Sequence, residues 1–539
     1  MSEKKNTFFG GAAILAVGAI VVKLIGALYK IPMANILGDT ANGYFGAAYN
    51  IYAVLLTIST GGLPVALSKQ VSEAHALGLV NQKRRIYTVA MRTLFLFGLV
   101  CFAVMFFGAR SITENVMHNP GAYCATPLAL APACLFVCCM SALRGYTQGQ
   151  GVMTPTAVSQ ILEALCKLII GLSLAYVLLT WGSSMTDAFS PLELAAAGAI
   201  AGVTIGTLVS LVYLSIDRVR RNREEPARGT DTPQSDRAIL SRLVKLAVPI
   251  TLGSSVVPIV NFFDTVQVQS RLQEVFQISA DTASGLYGTY NAAVNLYNLP
   301  SALMVPFTAS LIPAISAARA RRDPLGATRV TESAMRIAML LACPMGFGLT
   351  ALATPITQML YGAKYDIAVM GPILAKLGIA SIFTCIVVLS NSILQANGLV
   401  NLPILTMVVG GVLKLVVNYT LVGTASIGIQ GAPVGTFVCF GVVGLLDLAI
   451  IHRVLPSSPS YTRIFVKPLM ASVVMALAAW ASYGLINRVL GSNTIATLGA
   501  IVLAVAVYGI LVLALRAISR DDLALMPKGD KIAKILRIR

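Results

Sequence analysis

Charged residues are scarce in this chain: they make up 12% of its 539 residues, whereas 56% are hydrophobic. Soluble domains carry about 25% charged residues, so a series of soluble domains is excluded. The longest polar stretch, residues 217–242, is too short for an independent domain, and no GxxxxGK[ST] phosphate loop occurs. The composition indicates an integral membrane protein whose ATPase or kinase, if it uses one, is a separate chain.

Histidine and paired cysteine are scarce as well. The three histidines lie near predicted loops, and the nine cysteines form no CxxC pair. Cysteines inside apolar runs behave as small hydrophobic residues, and no zinc site or histidine-based catalytic cluster can be assembled from these residues. We therefore expect no metal and no cofactor.

Long apolar runs are what the sequence does contain. Windows of about 19 residues predict about fourteen transmembrane helices in an all-α polytopic membrane protein. The predicted spans are 10–36, 43–66, 87–108, 123–144, 156–180, 191–216, 243–264, 282–312, 330–350, 367–396, 403–422, 430–452, 465–487 and 494–516.

The net charge of +18 is concentrated in alternate loops. Basic residues cluster at 83–85, at 218–242, at 319–329 and in the C-terminal tail, while the intervening loops carry few. The positive-inside rule places these loops and both termini in the cytoplasm. The charge therefore sets membrane orientation, and no nucleic-acid partner is expected.

The sequence contains an internal repeat. Gly43-Tyr44-Phe45-Gly46 and Gly285-Leu286-Tyr287-Gly288 are 242 residues apart, and Lys167 and Lys414 are 247 residues apart. This predicts two parallel six-helix lobes with a cavity between them. The predicted organisation is a first lobe at 1–225, a basic cytoplasmic linker at 226–242, a second lobe at 243–455, and two further helices with a basic cytoplasmic tail at 456–539.

Several ionisable residues fall inside the predicted spans. Each charge at bilayer depth costs about 2.5–3.5 kcal/mol and needs water, a partner or a function. The set contains more cations than anions: Lys23, Arg144, Glu163, Lys167, Asp264, Lys376, Lys414 and Asp447. Such a cavity suits a ligand that carries phosphates and suits a cationic drug poorly.

Simpler interpretations of these charges remain open. Glu163 and Lys167 are spaced i,i+4, so a local ion pair is one alternative. For Lys23 and Lys414 the alternatives are an interhelical salt bridge or snorkelling. Asp264 is predicted either to bind a cation or to face water, and Asp447, near the cytoplasmic end of its helix, is predicted to be solvated.

Helix breaks are predicted where proline and glycine cluster. Pro64 follows Gly61-Gly62-Leu63, and Pro306 lies 242 residues further along the chain. Both are candidate conformational hinges, because such breaks supply bending points. Ordinary enrichment of these residues in membrane helices is the alternative.

The residues also resemble a known family. The stretch 143–149 (LRGYTQG), followed by 153–160 (MTPTAVSQ) and Glu163, resembles the signature of stage V sporulation protein B and related polysaccharide biosynthesis membrane proteins. Residues 23–26 (KLIG) and 261–265 (NFFDT) are similar to that group too. The group belongs to the multidrug, oligosaccharidyl-lipid and polysaccharide exporter superfamily and is similar to MurJ-type lipid II flippases.

The resemblance implies a function and a fold. It implies two lobes with two extra helices that form a groove for a polyprenyl tail, in a protein of the bacterial cytoplasmic membrane. It implies transport of an undecaprenyl-diphosphate-linked saccharide by alternating access, with membrane lipids and other cell-wall synthesis proteins as partners. The coupling ion, or use of the membrane potential, is left open.

The resemblance also assigns candidate residues. Lys23 matches the first-helix cation of MurJ-type proteins, whereas 54–56 (VLL) and Asn295 to Asn298 replace further arginines of that group. The candidate substrate-binding residues are Lys23, Arg144, Glu163, Lys167, Asp264, Asn295, Asn298 and Lys414.

Other functions compete with this interpretation. A cation-coupled multidrug exporter would require acidic residues in an apolar cavity. A membrane enzyme would require a long outer loop with paired acids or histidines. A non-transporting scaffold in a cell-wall assembly complex is the third alternative. The balance of cations favours the flippase.

Overall fold

The computed structural model describes residues 2–186, 188–224, 229–320, 323–455 and 461–518. These residues form helices and contain no strand, which confirms the predicted all-α fold. The α-helices are α1 (Ser2–Thr60), α2 (Leu63–Ala76), α3 (Val80–Phe107), α4 (Ala131–Gly149), α5 (Thr154–Cys166), α6 (Leu172–Met185), α7 (Pro191–Glu224), α8 (Asp236–Phe276), α9 (Ala280–Ala320), α10 (Pro324–Ala351), α11 (Ala353–Tyr361), α12 (Ile367–Ala396), α13 (Leu402–Val422), α14 (Ala432–Val454), α15 (Lys467–Leu490) and α16 (Asn493–Ala514).

The helices account for the predicted membrane spans. Within the described residues, 11 helical stretches are long and apolar enough to cross a membrane. The first of these, Val17–Ala76, contains most of the first predicted span and all of the second, α4 overlaps the fourth, and α9 covers the eighth. The chain is therefore a multi-pass membrane protein. Arg228, Arg321, Arg322 and the basic tail from 519 onward lie outside the described residues.

A single residue separates the first two spans. Gly38 interrupts α1 with φ of +72°, in the left-handed region that glycine enters without a Cβ clash. The Asp39 carboxylate then accepts the backbone N–H of Thr40 at 2.7 Å. The predicted loop between the two spans is thus reduced to a sharp kink at Gly38, where two helices meet.

The two candidate hinges differ. α1 ends at Thr60 and α2 begins at Leu63, so Pro64 lies in the first turn of a new helix. A Cβ on Gly62 would lie 2.1 Å from the Ala247 carbonyl oxygen of α8, so this break allows close backbone contact. α9, by contrast, is helical through position 306, whose side chain is outside the described part of the structure. Bending at either place remains a prediction.

Contacts divide the chain into two compact units, Met1–Gly288 and Thr289–Arg539. Unit 1 contains α1–α8 and the first residues of α9, and unit 2 contains the rest of α9 and α10–α16. The boundary falls inside α9, whereas the sequence places its lobes on either side of residues 226–242. The lobe organisation remains a prediction.

The two units contain the same turn, separated by the same 247 residues as Lys167 and Lys414. In unit 1, Gly151 (φ +79°) follows α4 and donates its N–H to the Gln148 carbonyl at 2.9 Å. In unit 2, Gly398 (φ +81°) follows α12 and donates to the Gln395 carbonyl, also at 2.9 Å. In both turns the next N–H reaches back five residues, at 3.0 and 2.9 Å. The same backbone geometry 247 residues apart supports a true structural repeat.

Within unit 1, α1 and the start of α9 cross in direct backbone contact. A Cβ on Gly43 would lie 2.1 Å from the Ser284 carbonyl oxygen, and one on Gly288 would lie 1.8 Å from the Asp39 carbonyl oxygen. Asn42 Nδ2 donates to the Gly288 carbonyl at 2.9 Å in a buried position. Glycine at these repeat positions therefore allows the crossing, as small residues do at other membrane helix interfaces.

The linker that precedes α8 is docked on the start of α3. Asp231 accepts the backbone N–H groups of Asn81 at 3.0 Å and Gln82 at 2.7 Å, and Asn81 Nδ2 donates to the Gly229 carbonyl. Desolvation raises the pKa of Asp231, but these N–H donors outweigh it and hold the pKa below its usual value. The carboxylate thus caps a helix N-terminus from a distant segment.

Candidate anion-binding site of unit 1

Lys167 occupies an irregular point in the helix that continues from α5 to α6. It begins a π-helical turn, Lys167–Gly171. Such turns are frequent at functional sites. A Cβ on Gly202 of α7 would lie 2.3 Å from the Gly171 Cα, so the turn packs against α7 through bare backbone. Lys167 therefore belongs to a turn whose backbone is tightly packed against α7.

The ammonium group of Lys167 faces an aromatic ring. Its Nζ is 5.4 Å from the ring centroid of Tyr49 on α1, which is cation–π distance. Lys167 also interacts electrostatically with Glu163. Tyr49 was absent from the sequence-based candidates because an aromatic residue in an apolar run carries no distinguishing signal.

Arg144 and Glu163 pair with one another. Arg144 Nη2 is 3.3 Å from Glu163 Oε2, and Arg144 Nε donates to Ser159 Oγ at 2.9 Å. Both charged side chains are largely buried, at 13% and 21% exposure. The ion-pair partner of Glu163 within 4.0 Å is therefore on a different helix from Lys167, so the local i,i+4 pair is not its main contact.

A buried hydroxyl adjoins this pair. Tyr52, one helical turn from Tyr49, interacts electrostatically with Glu163 and Arg144. Its hydroxyl has no hydrogen-bond partner among the described residues. Buried hydroxyls usually have a partner, so this group is available to a water or a ligand at the site.

α1 brings two more lysines to the same region. Lys30 interacts electrostatically with Lys167 and with Lys23, and both α1 side chains are exposed. Lys30 was not among the sequence-based candidates. The available signal was its seven-residue spacing from Lys23, which places both on one face of α1.

The remaining candidates are distributed over both units. Asp264, in unit 1, is buried with 5% exposure, so it does not face open solvent. Asn295 and Asn298 are half-buried residues of α9 in unit 2. Lys414, in the same unit on α13, is also buried and interacts electrostatically with Tyr297. Their role in substrate binding remains a prediction.

The expectation for Asp447 was wrong. Its side chain on α14 is fully buried rather than solvated, and Oδ1 accepts the Thr406 hydroxyl at 2.8 Å. The sequence shows only that Asp447 is near a helix end. The packing of α13 against α14 removes it from water.

The fold defines a class of protein, the all-helical multi-pass membrane proteins. A solved structure described as "Lipid II flippase MurJ, inward closed conformation" is similar, with a TM-score of 0.69 and 13% identity over 93% of this chain and 98% of that one. The chain belongs to the polysaccharide biosynthesis protein family, which matches residues 8–319. This confirms the family that the sequence motifs indicated.

Two bacterial relatives are similar in sequence to this chain over most of its length. Stage V sporulation protein B of Bacillus subtilis (strain 168) is 25% identical over 529 residues, covering 97% of this chain and 98% of the relative. The lipid II flippase MurJ of the same organism is 24% identical over 493 residues, covering 89% and 88%. The similarity therefore includes the helices of both units.

Proposed function

We propose that this protein is a flippase that moves an undecaprenyl-diphosphate-linked cell-wall saccharide across the bacterial cytoplasmic membrane by alternating access. The observation that carries the proposal is the cluster of Lys23, Lys30 and Lys167 in the spanning helices of unit 1. The relative named as a lipid II flippase supports the same class of substrate.

The charge balance of the cluster favours a diphosphate ligand. Three cations at bilayer depth cost about 2.5–3.5 kcal/mol each on insertion scales. Glu163, the acidic residue that interacts with Lys167, is already paired with Arg144. A diphosphate brings roughly two negative charges, and lysine engages phosphate as a point charge. Binding relieves the repulsion between the lysines.

Arg144 and Glu163 have a positioning role in this proposal. Their ion pair and the Arg144–Ser159 hydrogen bond join α4 to α5, and α5 leads directly to Lys167. They hold the lysine in place and need not touch the ligand. Asp264, Asn295, Asn298 and Lys414 are proposed as further polar contacts for the substrate, and Pro64 and Pro306 as hinges.

The membrane potential is proposed as the driving force, with both termini in the cytoplasm and no ATP required. Each elementary charge that moves through 100 mV is worth about 2.3 kcal/mol. An empty carrier with excess cations is therefore drawn toward the negative cytoplasmic side, and a bound diphosphate cancels much of this force. Transport then depends on the potential through the return of the empty state.

Reconstituted liposomes test the proposal. A fluorescent undecaprenyl-diphosphate saccharide is added, and its exposure on each leaflet is measured by quenching, with and without an imposed potential. Replacement of Lys23, Lys30 and Lys167 together by glutamine is expected to reduce translocation at least tenfold, about 1.4 kcal/mol of binding. Thermal unfolding is expected to change little, because no buried ion pair is broken.

A matched control distinguishes the site from general charge loss. Lys69 is an exposed lysine on α2, so Lys69→Gln is expected to transport like the unmodified protein. Translocation at the unmodified rate by the triple variant would refute the diphosphate site. Export of a cationic dye together with no lipid translocation would favour the multidrug exporter, and no transport of either would favour the scaffold.

A further inference from the structure

An apolar cleft opens on unit 1 beside the break between α1 and α2. Its volume is about 250 Å³, and its walls come from α1, α2, α3 and α8. The apolar lining includes Ile58, Leu63, Phe97, Val244, Val248 and Leu252, and two threonines, at 93 and 251, complete it. The cleft does not involve the lysine cluster, so the inference is independent of the proposed function.

The cleft lies on a side of the molecule that faces the bilayer. Val244, Val248 and Leu252 are 43%, 47% and 67% exposed on α8, one helical turn apart. α3 and α8 are both long and apolar enough to span the membrane. Lipid chains are therefore the natural neighbours of this surface.

The cleft extends through the acyl region of one leaflet, from near the membrane boundary to about the middle of the bilayer. The predicted spans begin at 87 in α3 and at 243 in α8. At 1.5 Å per residue, the lining residues of α3 lie about 9–15 Å from that boundary and those of α8 within about 14 Å. The basic loops mark this boundary as the cytoplasmic one.

Two basic residues are adjacent in sequence to the cleft lining, within about two helical turns of the same boundary. Arg92 adjoins lining residue Thr93, and Lys245 is on the face of α8 that carries Val248 and Leu252. Both cations are exposed, and neither forms an ion pair with a described residue.

Two other basic residues of these segments are already neutralised. Arg85 pairs with Asp236, with an Nη2–Oδ2 distance of 2.9 Å, and Arg242 pairs with Glu73 at 2.7 Å. Arg92 and Lys245 have no such partner among the described residues, and they are the basic residues nearest in sequence to the cleft lining.

We propose that the cleft binds one acyl chain of an anionic glycerophospholipid from the cytoplasmic leaflet, with its phosphate held by Arg92 and Lys245. Apolar surface gains little from leaving lipid for protein, so the headgroup decides selectivity. Two basic side chains at about 1 kcal/mol each correspond to roughly a thirtyfold preference for anionic over zwitterionic lipid.

Native mass spectrometry of the full chain tests this assignment. The protein is equilibrated with equal amounts of phosphatidylglycerol and phosphatidylcholine, and the retained lipids are counted. One phosphatidylglycerol is expected to be retained, and Arg92→Gln with Lys245→Gln is expected to lower its affinity roughly thirtyfold. Lys69→Gln is the matched control and is expected to retain the lipid.

A second variant separates the cleft from the charges. Val248→Trp fills the cleft while keeping both cations, and it is expected to release the lipid with an unchanged circular dichroism spectrum. Equal retention of phosphatidylglycerol by the double charge variant would overturn the proposal, as would equal retention of phosphatidylcholine. Displacement of the lipid by undecaprenyl phosphate at equal concentration would assign the cleft to an isoprenoid tail and overturn it too.

Discussion

Replacing Gly288 by alanine tests the backbone contact between α1 and α9. The added Cβ would lie 1.8 Å from the Asp39 carbonyl oxygen, whereas ordinary contact begins at 3.4 Å. Because the obstructing atom belongs to the backbone, no side-chain rotation relieves the clash. The helices must separate by roughly the difference between the two distances. That movement also breaks the buried 2.9 Å hydrogen bond from Asn42 to Gly288.

The expected cost combines two effects. Overpacking costs about 1–3 kcal/mol and a lost hydrogen bond about 0.5–1.5 kcal/mol, so Gly288→Ala is expected to destabilise the protein by roughly 2–4 kcal/mol. Reversible unfolding in mixed detergent, followed by circular dichroism, measures the loss. Gly285→Ala is the matched control on the same helix, because the nearest atom to its Cβ is the Thr40 hydroxyl oxygen at 3.3 Å.

The difference in unfolding free energy between the two variants tests whether α1 and α9 touch through their backbones. Gly285→Ala is expected to unfold within about 0.5 kcal/mol of the unmodified protein, as substitutions without a clash usually do. If Gly288→Ala unfolds at the same midpoint as Gly285→Ala, the two helices do not touch through their backbones, and the reasoning from Cβ distances fails.

Three further predictions follow from other contacts. Asp231→Asn is expected to speed amide hydrogen exchange at the two α3 residues that it caps. Acidification below about pH 4 is expected to do the same in the unmodified protein, because a carboxylate with a lowered pKa stabilises the helix only while it is ionised. Unchanged exchange rates would contradict the cap. Arg144→Gln removes the ion-pair partner of Glu163 within 4.0 Å and is expected to cost about 3–5 kcal/mol in chemical unfolding. Glu163→Gln is expected to restore part of this loss, whereas strictly additive losses would argue against coupling. Thiols introduced at Arg84 and Arg223 are expected to react with an impermeant reagent only from the cytoplasmic side, and labelling from outside would reverse the proposed orientation.

Part of the candidate site was predictable because charged residues are rare within the apolar sequences of membrane helices. A lysine within an apolar run needs water, a partner or a function, so the sequence alone makes Lys23 and Lys167 candidates. Lys30 was missed although it shares a helical face with Lys23. Tyr49 and Tyr52 were not identifiable, because only the packing of α1 against α5 shows that their rings and hydroxyls lie beside charged groups.

The sequence by itself determined the all-α membrane architecture, the positions of the spans and the repeat. These properties depend on local hydropathy and on turn residues such as Gly151 and Gly398, whose positive φ values are set within a few residues. Tertiary structure alone decided which charges are paired. Glu163 had a favourably spaced lysine on its own helix, yet it pairs with Arg144 at 3.3 Å, because helix packing sets which side chains meet inside the bilayer. Asp447 is buried for the same reason, since its exposure depends on the neighbouring helix and not on its distance from a helix end.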